Sequence, residues 1–192
     1  MAKVRGNPSL IAGLSGAIGG LVYCETADGL IVRRQGEPKP DRSPTPAELV
    51  RNANFQRARA YGNQVKVDPV LAPLYQLVCT GRMTPYQAGF RDCQRPPVID
   101  SIDLGSFTGK PGASILVSAW DDFQVTKLTV LIRDTSNQKT LEQGPATLSP
   151  LRRKWVYTTT SDIAVETSVI VEATACDRPG NETVSRVHYF IH

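Results

Sequence analysis

Four oxygen-bearing side chains in the second half of the chain are the residues best suited to hold a ligand. Asp121 and Asp122 follow the apolar segment that ends at Trp120, and Asp177 and Asn181 frame a later turn. In a sandwich of antiparallel strands these two loops fall at the same end, where the four side chains would converge. Calcium takes about six to eight oxygen ligands, and its affinity rises with the number of carboxylates. The pattern therefore predicts a candidate calcium site at these four positions.

The same four residues have a second explanation that needs no metal. Aspartate and asparagine are common in turns because their side chains accept hydrogen bonds from the backbone a residue or two further on. We favour turn formation over calcium binding, and both explanations remain open from the sequence. Apart from calcium, no cofactor is expected.

The remaining residue types argue against catalysis. The two histidines, His188 and His192, fall on the expected last strand at the end of the chain. The sequence has no GxxxxGK[ST] phosphate loop, no HExxH zinc motif and no nucleophile elbow. The glycine-rich segment 13–19 lacks the lysine that would meet a phosphate. We therefore expect a protein that is not an enzyme and has no small-molecule substrate.

The cysteines are too widely spaced for a CxxC zinc site. Cys79 and Cys93 lie close enough along the chain to form a disulfide. The alternative, which we favour, is that every cysteine is a small apolar thiol inside the protein. The four residues are Cys24, Cys79, Cys93 and Cys176.

Charge is distributed unevenly along the 192 residues. Residues 1–97 contain 13 Lys and Arg against 7 Asp and Glu, whereas residues 98–192 contain 9 against 11. This asymmetry suits head-to-tail attraction between copies or an anionic partner such as nucleic acid, although ordinary surface variation also explains it. Because the basic residues are dispersed, nucleic acid is the less expected partner.

No membrane span is expected, because no segment reaches the ~20 apolar residues that a bilayer requires. Lys3 and Arg5 precede the apolar segment 10–22 as in a signal peptide, but glycines and a serine interrupt that segment. No small-x-small cleavage site follows it. We therefore expect no clear cleavable signal peptide, and an assembly outside the cell, on its surface or in a virion.

The first 36 residues predict an arm followed by a β-hairpin. Glycines recur through residues 1–20 and disfavour a regular helix there. The apolar segments 21–24 and 30–32 flank the dipeptide at 28–29, Asp-Gly, which is typical of a two-residue hairpin turn. Because a lone hairpin is marginal in water, it requires a surface to pack against, in this subunit or in another.

Residues 37–97 predict a proline-rich linker and short helices. Thr45 is a suitable N-cap for a helix that begins at Pro46, and Glu48 completes a capping box. The expected helices are 46–63, 70–79 and 85–93, and the apolar face of the first comprises Leu49, Ala53, Phe55, Ala60 and Tyr61.

The second half, residues 98–192, predicts an all-β sandwich. Apolar and polar residues alternate over short segments, as in strands with one buried face, and turn-forming residues separate the segments. Trp120 and Trp155 are expected in the core. The alternating positions include Ile99 and Ile102; Ile115, Val117 and Ala119; Leu128, Val130 and Ile132; Trp155 and Tyr157; Val169, Val171 and Ala173; and Val187, Tyr189 and Ile191.

The segments ILVSAWDDFQVTKLTVLI and VIVEATACDRPGNETV resemble bacterial immunoglobulin-like or fibronectin-like modules found in surface and assembly proteins. In those modules an alanine–aspartate pair ends one strand, and an aspartate-x-x-glycine-asparagine turn joins the last two. The matching positions here are 119–122 and 177–181. The resemblance covers residues 98–192 and implies an all-β immunoglobulin-like sandwich there. Because the predicted arm, hairpin and short helices precede this sandwich, the fold class expected for the whole chain is α+β.

The first half, with GLSGAIGGLVY and SPTPAELVRNANFQRA, resembles a group of bacterial proteins that share a GLSGxIG segment. That group has no settled function, so the resemblance implies no activity. Immunoglobulin-like modules in turn host many functions, so the fold alone decides little.

These observations favour a structural subunit that assembles with copies of itself into a filament, tube or virion-like shell. The edges of a sandwich accept an extended segment from another chain by strand exchange, and the arm offers such a segment. An arm folded back on its own subunit is the alternative. The residues expected at the subunit interface are Leu10, Ile11, Leu14, Ile18, Leu21, Val22 and Ile31.

Two other functions remain open. One is an adhesin-like module that recognises protein or carbohydrate through the loops around Asp121 and Asp177. The other is a phage structural protein that contacts nucleic acid through its basic first half.

Overall fold

The chain divides into two compact units, residues 1–44 and 45–192. The described part is mostly β-structure, in three four-stranded antiparallel sheets, and it also contains three helices. One sheet belongs to the first unit, whereas the helices and the other two sheets belong to the second. The computed structural model describes residues 2–3, 15–26, 29–37, 43–149 and 154–192.

The sheet of the first unit has the strand order β1-β4-β3-β2. Strands β3 and β4 form the predicted hairpin, in which Tyr23 lies opposite Val32. The predicted arm contributes β2, and its residues 4–14 lie outside the described part of the chain. The strands are β1 (Ala2–Lys3), β2 (Gly16–Ile18), β3 (Leu21–Thr26) and β4 (Gly29–Arg34).

Three helices open the second unit, and the first begins as predicted. The Thr45 hydroxyl accepts a hydrogen bond from the Glu48 N–H at 3.3 Å, and the Glu48 carboxylate accepts one from the Thr45 N–H at 2.9 Å. The same capping box, formed by Thr84 and Gln87, starts the third helix. The helices are α1 (Pro46–Val67), α2 (Leu71–Gln76) and α3 (Pro85–Gln94).

The apolar face expected for α1 is correct only at Tyr61, which packs against the buried cluster of Val65, Tyr75 and Ala88. The other predicted residues are exposed, and a different face makes the contact. Leu49 and Phe55 are exposed, whereas Ala58, Gly62 and Val65 are buried. A Cβ atom placed on Gly62 would lie 2.9 Å from the carbonyl oxygen of Tyr86. One placed on Gly89 of α3 would lie 2.7 Å from a methyl group of Val65. Helices α1 and α3 therefore approach each other more closely than side chains at these positions would allow.

Eight strands form the two sheets of the second unit. One sheet has the order β5-β6-β10-β9 and the other β12-β11-β7-β8. The strands are β5 (Val98–Asp103), β6 (Ser114–Trp120), β7 (Val125–Asp134), β8 (Thr140–Pro145), β9 (Thr147–Ser149), β10 (Lys154–Thr158), β11 (Ser168–Asp177) and β12 (Glu182–Phe190).

The two sheets share one buried core, which gives the unit a sandwich-like form. The alternation predicted from the sequence is confirmed, since Ile115 and Val117 of one sheet and Val169 and Val171 of the other belong to this core. Burying the inward face of each strand is the main stabilising contribution, because apolar surface leaves water on both sheets at once.

Only one of the two tryptophans lies in the core. Trp155 is buried as expected, but Trp120 is 51% exposed, and its predicted core position is wrong. Along β6 the buried residues, Ile115 and Val117, are at odd-numbered positions. Trp120 is at an even-numbered position, so its side chain points to the opposite face of the sheet. The indole N–H of Trp120 donates there to a carboxylate oxygen of Asp100 at 3.2 Å.

A buried carboxylate, Glu142, joins β8 to the loop after β10. Its Oε1 atom accepts hydrogen bonds from the Tyr157 hydroxyl at 2.8 Å and from the Thr160 N–H at 2.6 Å. Its Oε2 atom accepts one from the Ser161 N–H at 3.2 Å. Burial raises the pKa of Glu142, but these hydrogen bonds outweigh it and hold the pKa below its ordinary value of 4.5.

We predict that Glu142→Gln lowers the free energy of unfolding by about 1–3 kcal/mol at neutral pH. The reason is that a neutral amide replaces a carboxylate that accepts hydrogen bonds from several donors. Since the folded-state pKa is lowered, this contribution is present above the ordinary pKa and is lost as pH falls through the folded-state value. Urea unfolding at a series of pH values measures it. Glu182→Gln, at an exposed position of β12, is the control, and an equal loss in both variants would contradict the prediction.

Candidate functional site

Three carboxylates meet where α3 contacts one end of the two sheets. Asp92 comes from α3, Asp121 from the loop between β6 and β7, and Asp177 from the end of β11. One carboxylate oxygen of each lies within 4.8 Å of the other two. Asp92 and Asp177 are each only 2% exposed, and Asp121 is partly buried. We call these three residues the acidic cluster.

Local turns position two members of the acidic cluster. Asp121 Oδ1 accepts hydrogen bonds from the N–H groups of Phe123 and Gln124 at 2.9 and 3.1 Å. Asp177 accepts from the N–H and the side-chain amide of Asn181, both at 2.6 Å. The turn-forming roles predicted for these aspartates are therefore confirmed. Each carboxylate is held in place by its own loop.

The third member, Asp92, is tied to the neighbouring helices by tyrosines. The fully buried Tyr75 donates its hydroxyl hydrogen to Asp92 Oδ2. The same hydroxyl is hydrogen-bonded to that of Tyr61 at 2.9 Å. The Tyr75 ring stacks on Phe123, with their centroids 4.2 Å apart. Tyr75 therefore connects α1, α3 and the loop that carries Asp121.

Burial governs the protonation of this site. It raises the pKa of Asp92 to about 7, and the nearby Asp121 and Asp177 carboxylates act in the same direction, against the Tyr75 hydrogen bond. Burial also raises the pKa of Asp177, although the hydrogen bonds from Asn181 oppose it. The pKa of Tyr75 is raised well above its ordinary value, by burial first and then by the Asp92 contact. The site thus disfavours further negative charge.

Two oxygens of the acidic cluster have no partner. Among the described residues, Asp92 Oδ1 and Asp121 Oδ2 are buried and receive no hydrogen bond from an N–H or O–H donor, and the interaction between these two carboxyl groups further raises the pKa of Asp92. The ion pairs found within the described ranges involve other carboxylates. Buried polar atoms in proteins are nearly always paired, so two unpaired oxygens in one cluster require an explanation.

The four residues predicted as a calcium site do not all lie together. Asp121 and Asp177 come together, but Asp122 points away and pairs with Arg91 at 3.1 Å and Arg95 at 2.7 Å. The hydrogen bond from Arg95 is the largest cause of the lowered pKa of Asp122.

The side chain of Asn181, the fourth residue predicted for the calcium site, donates hydrogen bonds through its amide N–H group. Its side-chain N–H group lies 3.3 Å from the carbonyl oxygens of both Asp92 and Cys93. It therefore links the turn after β11 to the end of α3. Asp92 was not predicted as a site residue, because it lies far from the others in sequence and no motif surrounds it.

A cavity of about 170 Å³ lies beside the acidic cluster. It is lined by both apolar and charged side chains, and Asp92 forms part of its wall. Asp92 is the member of the acidic cluster that lines this cavity. The lining residues include Tyr75, Met83, Arg91, Asp92, Asp122 and Phe123.

The sheet of the first unit carries the described part of the predicted interface. Ile18 lies opposite Leu21, and both share a face with Tyr23. Val22 and Ile31 lie on the other face, so the predicted residues occupy both sides of the sheet. Leu30 is the one buried residue among those whose burial is described in this unit. Three further predicted interface residues, Leu10, Ile11 and Leu14, lie outside the described residues.

The histidines and cysteines have surroundings of their own. His188 is exposed on β12, and the ring of His192 contacts that of Phe190, with centroids 5.2 Å apart. All four cysteines are free thiols, and of these only Cys93 is fully buried. The disulfide considered between Cys79 and Cys93 is therefore not formed.

We predict that Asn181→Ala lowers the free energy of unfolding by about 1–3 kcal/mol, because it leaves buried carbonyl and carboxylate oxygens without a donor. Hydrogen exchange should quicken in α3 more than in β7 and β11, since the lost bonds hold the helix end. Urea unfolding and amide exchange measure the two effects. Asn137→Ala, in the exposed turn after β7, is the control, and unchanged exchange in α3 would contradict the prediction.

Comparison with known proteins gives no match: no protein-family model, no curated protein and no solved structure is similar to this chain. In the described part of the chain, no helix combines the length and the apolar character needed to cross a membrane. Proposals about function therefore rest on the acidic cluster and on the sheet of the first unit, which has apolar residues on both faces.

Proposed function

We propose that the protein is a non-enzymatic structural subunit that assembles with copies of itself through the sheet of its first unit. The observation that carries this proposal is that apolar side chains occupy both faces of that sheet, and among its described residues only Leu30 is buried, whereas the others are half-buried or, like Ile18 and Leu21, exposed. Ile18, for example, is 59% exposed. Covering these side chains with another subunit would remove apolar surface from water, which is the main driving force for association.

The size of this unit also supports assembly. Units of about 40 residues bury too little surface to be stable alone and commonly depend on oligomerisation, metals or disulfides. This unit contains one cysteine, Cys24, which is a free thiol. Oligomerisation would therefore supply the stabilisation that the unit cannot derive from its own core.

A second copy of the chain is the partner that we favour. The positive balance of residues 1–97 and the negative balance of residues 98–192 suit head-to-tail contact between copies. A head-to-tail contact joins two different surfaces, so it propagates into a filament or tube, or closes into a ring or shell. Such an assembly belongs outside the cell, on its surface or in a virion.

The strand order of the second unit supports an immunoglobulin-like body. The order β5-β6-β10-β9 corresponds to strands A, B, E and D of that fold, and β12-β11-β7-β8 corresponds to G, F, C and C′. The chain passes from one sheet to the other between β8 and β9. We propose that this body is the rigid part of the subunit and that the sheet of the first unit makes the contacts between subunits.

The two alternative functions have less support. An adhesin-like module would bind ligands through the loops around Asp121 and Asp177, but these loops pack against α3 and Tyr75. Nucleic-acid binding would need a dense group of unpaired cations in the first half, whereas its basic residues are dispersed along the chain and two of them, Arg91 and Arg95, are paired with Asp122.

A substitution on the sheet of the first unit tests the proposal. We expect the wild-type protein to form large species in light scattering and electron microscopy, and Ile18→Asp to remain small, because a buried charge would oppose association. Val165→Asp is the matched control, since Val165 is also an exposed apolar residue, at 54%, but lies in the loop between β10 and β11.

The outcomes separate clearly. Assembly by the wild type and the Val165 variant, but not by the Ile18 variant, supports the proposal. A wild-type protein that stays monomeric at high concentration, or an Ile18 variant that assembles normally, contradicts it. Circular dichroism of each variant checks that the second unit remains folded.

A further inference from the structure

We infer that Asp92, Asp121 and Asp177 form a binding site for Ca²⁺ that joins α3 to the loop end of the two sheets. This site differs from the one predicted from the sequence, because Asp92 takes the place of Asp122 and Asn181 is a hydrogen-bond donor. It is also independent of assembly, since all three residues belong to the second unit.

The geometry provides the first argument. Oxygen ligands lie about 2.3–2.6 Å from a bound Ca²⁺, so two ligands on opposite sides of the ion are about 5 Å apart. One carboxylate oxygen from each residue of the acidic cluster lies within 4.8 Å of the corresponding oxygens of the other two. A single Ca²⁺ can therefore contact all three carboxylates without a large movement of the chain.

The unpaired oxygens provide a second and independent argument. Asp92 is only 2% exposed, and its Oδ1 atom receives no hydrogen bond from a donor among the described residues. Asp121 Oδ2 is likewise buried and receives no hydrogen bond from a donor among the described residues. Leaving a buried acceptor without a partner is costly, and more so when it belongs to a carboxylate. A cation bound between the carboxylates would satisfy both oxygens.

The donor set favours a hard divalent cation. The acidic cluster has only carboxylate ligands, whereas zinc sites usually contain cysteine or histidine. Magnesium requires nearly ideal octahedral geometry at about 2.0–2.1 Å, which loops from separate elements seldom provide. Calcium tolerates irregular coordination and accepts water for its remaining positions. The cavity of about 170 Å³ beside Asp92 is large enough to hold water next to the acidic cluster.

Calorimetric titration of the full-length, chelator-treated protein with CaCl₂ tests the inference. We expect saturable binding of one Ca²⁺ per chain and a higher melting temperature when Ca²⁺ is added. Asp92→Asn and Asp121→Asn should each weaken binding roughly tenfold or more, since each removes one charge from the ligand set. These variants keep an oxygen for the Tyr75 hydrogen bond and for the turn at Phe123.

Asp162→Asn is the matched control, because Asp162 is an exposed carboxylate paired with Lys110 and lies outside the acidic cluster. It should bind Ca²⁺ as the wild type does. Terbium luminescence, excited through Tyr75, gives a second readout that reports the ion directly. A terbium signal that Ca²⁺ displaces from the wild type but that is weak in the Asp92 variant supports the inference.

Two results would overturn it. Absence of binding at millimolar Ca²⁺ would mean that a proton shared between the carboxylates satisfies the site instead. Equal Ca²⁺ affinity in the wild type and both cluster variants would place the ion elsewhere. The Ile18→Asp variant should bind Ca²⁺ normally, so a failure of this inference and a failure of assembly can be told apart.

Discussion

Burial of the Asp92 carboxylate is the constraint that joins the helices of the second unit to its two sheets. A carboxylate away from water must have hydrogen-bond donors or a positive charge nearby, and its donor here is Tyr75 from another helix. Tyr75 in turn stacks on Phe123 from the loop between the sheets. Helices and sheets are thus joined by a polar contact enclosed in aromatic side chains. The helical segment is consequently part of the same body as the strands.

This arrangement explains why the loop end of the sheets differs from an ordinary exposed loop region. The loops that carry Asp121 and Asp177 are shaped by their own backbone hydrogen bonds, and α3 then covers them. Asn181 and the pair of arginines on α3 add further links across the contact. The loops are therefore fixed from both sides, which suits a structural role better than the recognition of varied ligands.

Local features of the fold could be predicted from the sequence, and contacts between distant segments could not. The capping box of α1 depends on residues three apart, and strand alternation depends on nearby residues, so both were predicted correctly. The buried face of α1 was missed because hydrophobicity favoured Phe55, whereas the contact depends on the absence of a side chain at Gly62. Asp92 and Glu142 were missed because their partners lie far away in sequence. Of the candidate site, only Asp121 and Asp177 were both predicted and brought together.

The close crossing of α1 and α3 also fixes the position of one member of the acidic cluster. Since backbone and methyl atoms fill the space beside Gly62 and Gly89, neither helix can slide along the other without a steric clash. Asp92 follows Gly89 by less than one helical turn, so the close contact between α1 and α3 sets its position within the acidic cluster. Gly62 and Gly89, which have no side chain, thereby determine where the Asp92 carboxyl group lies.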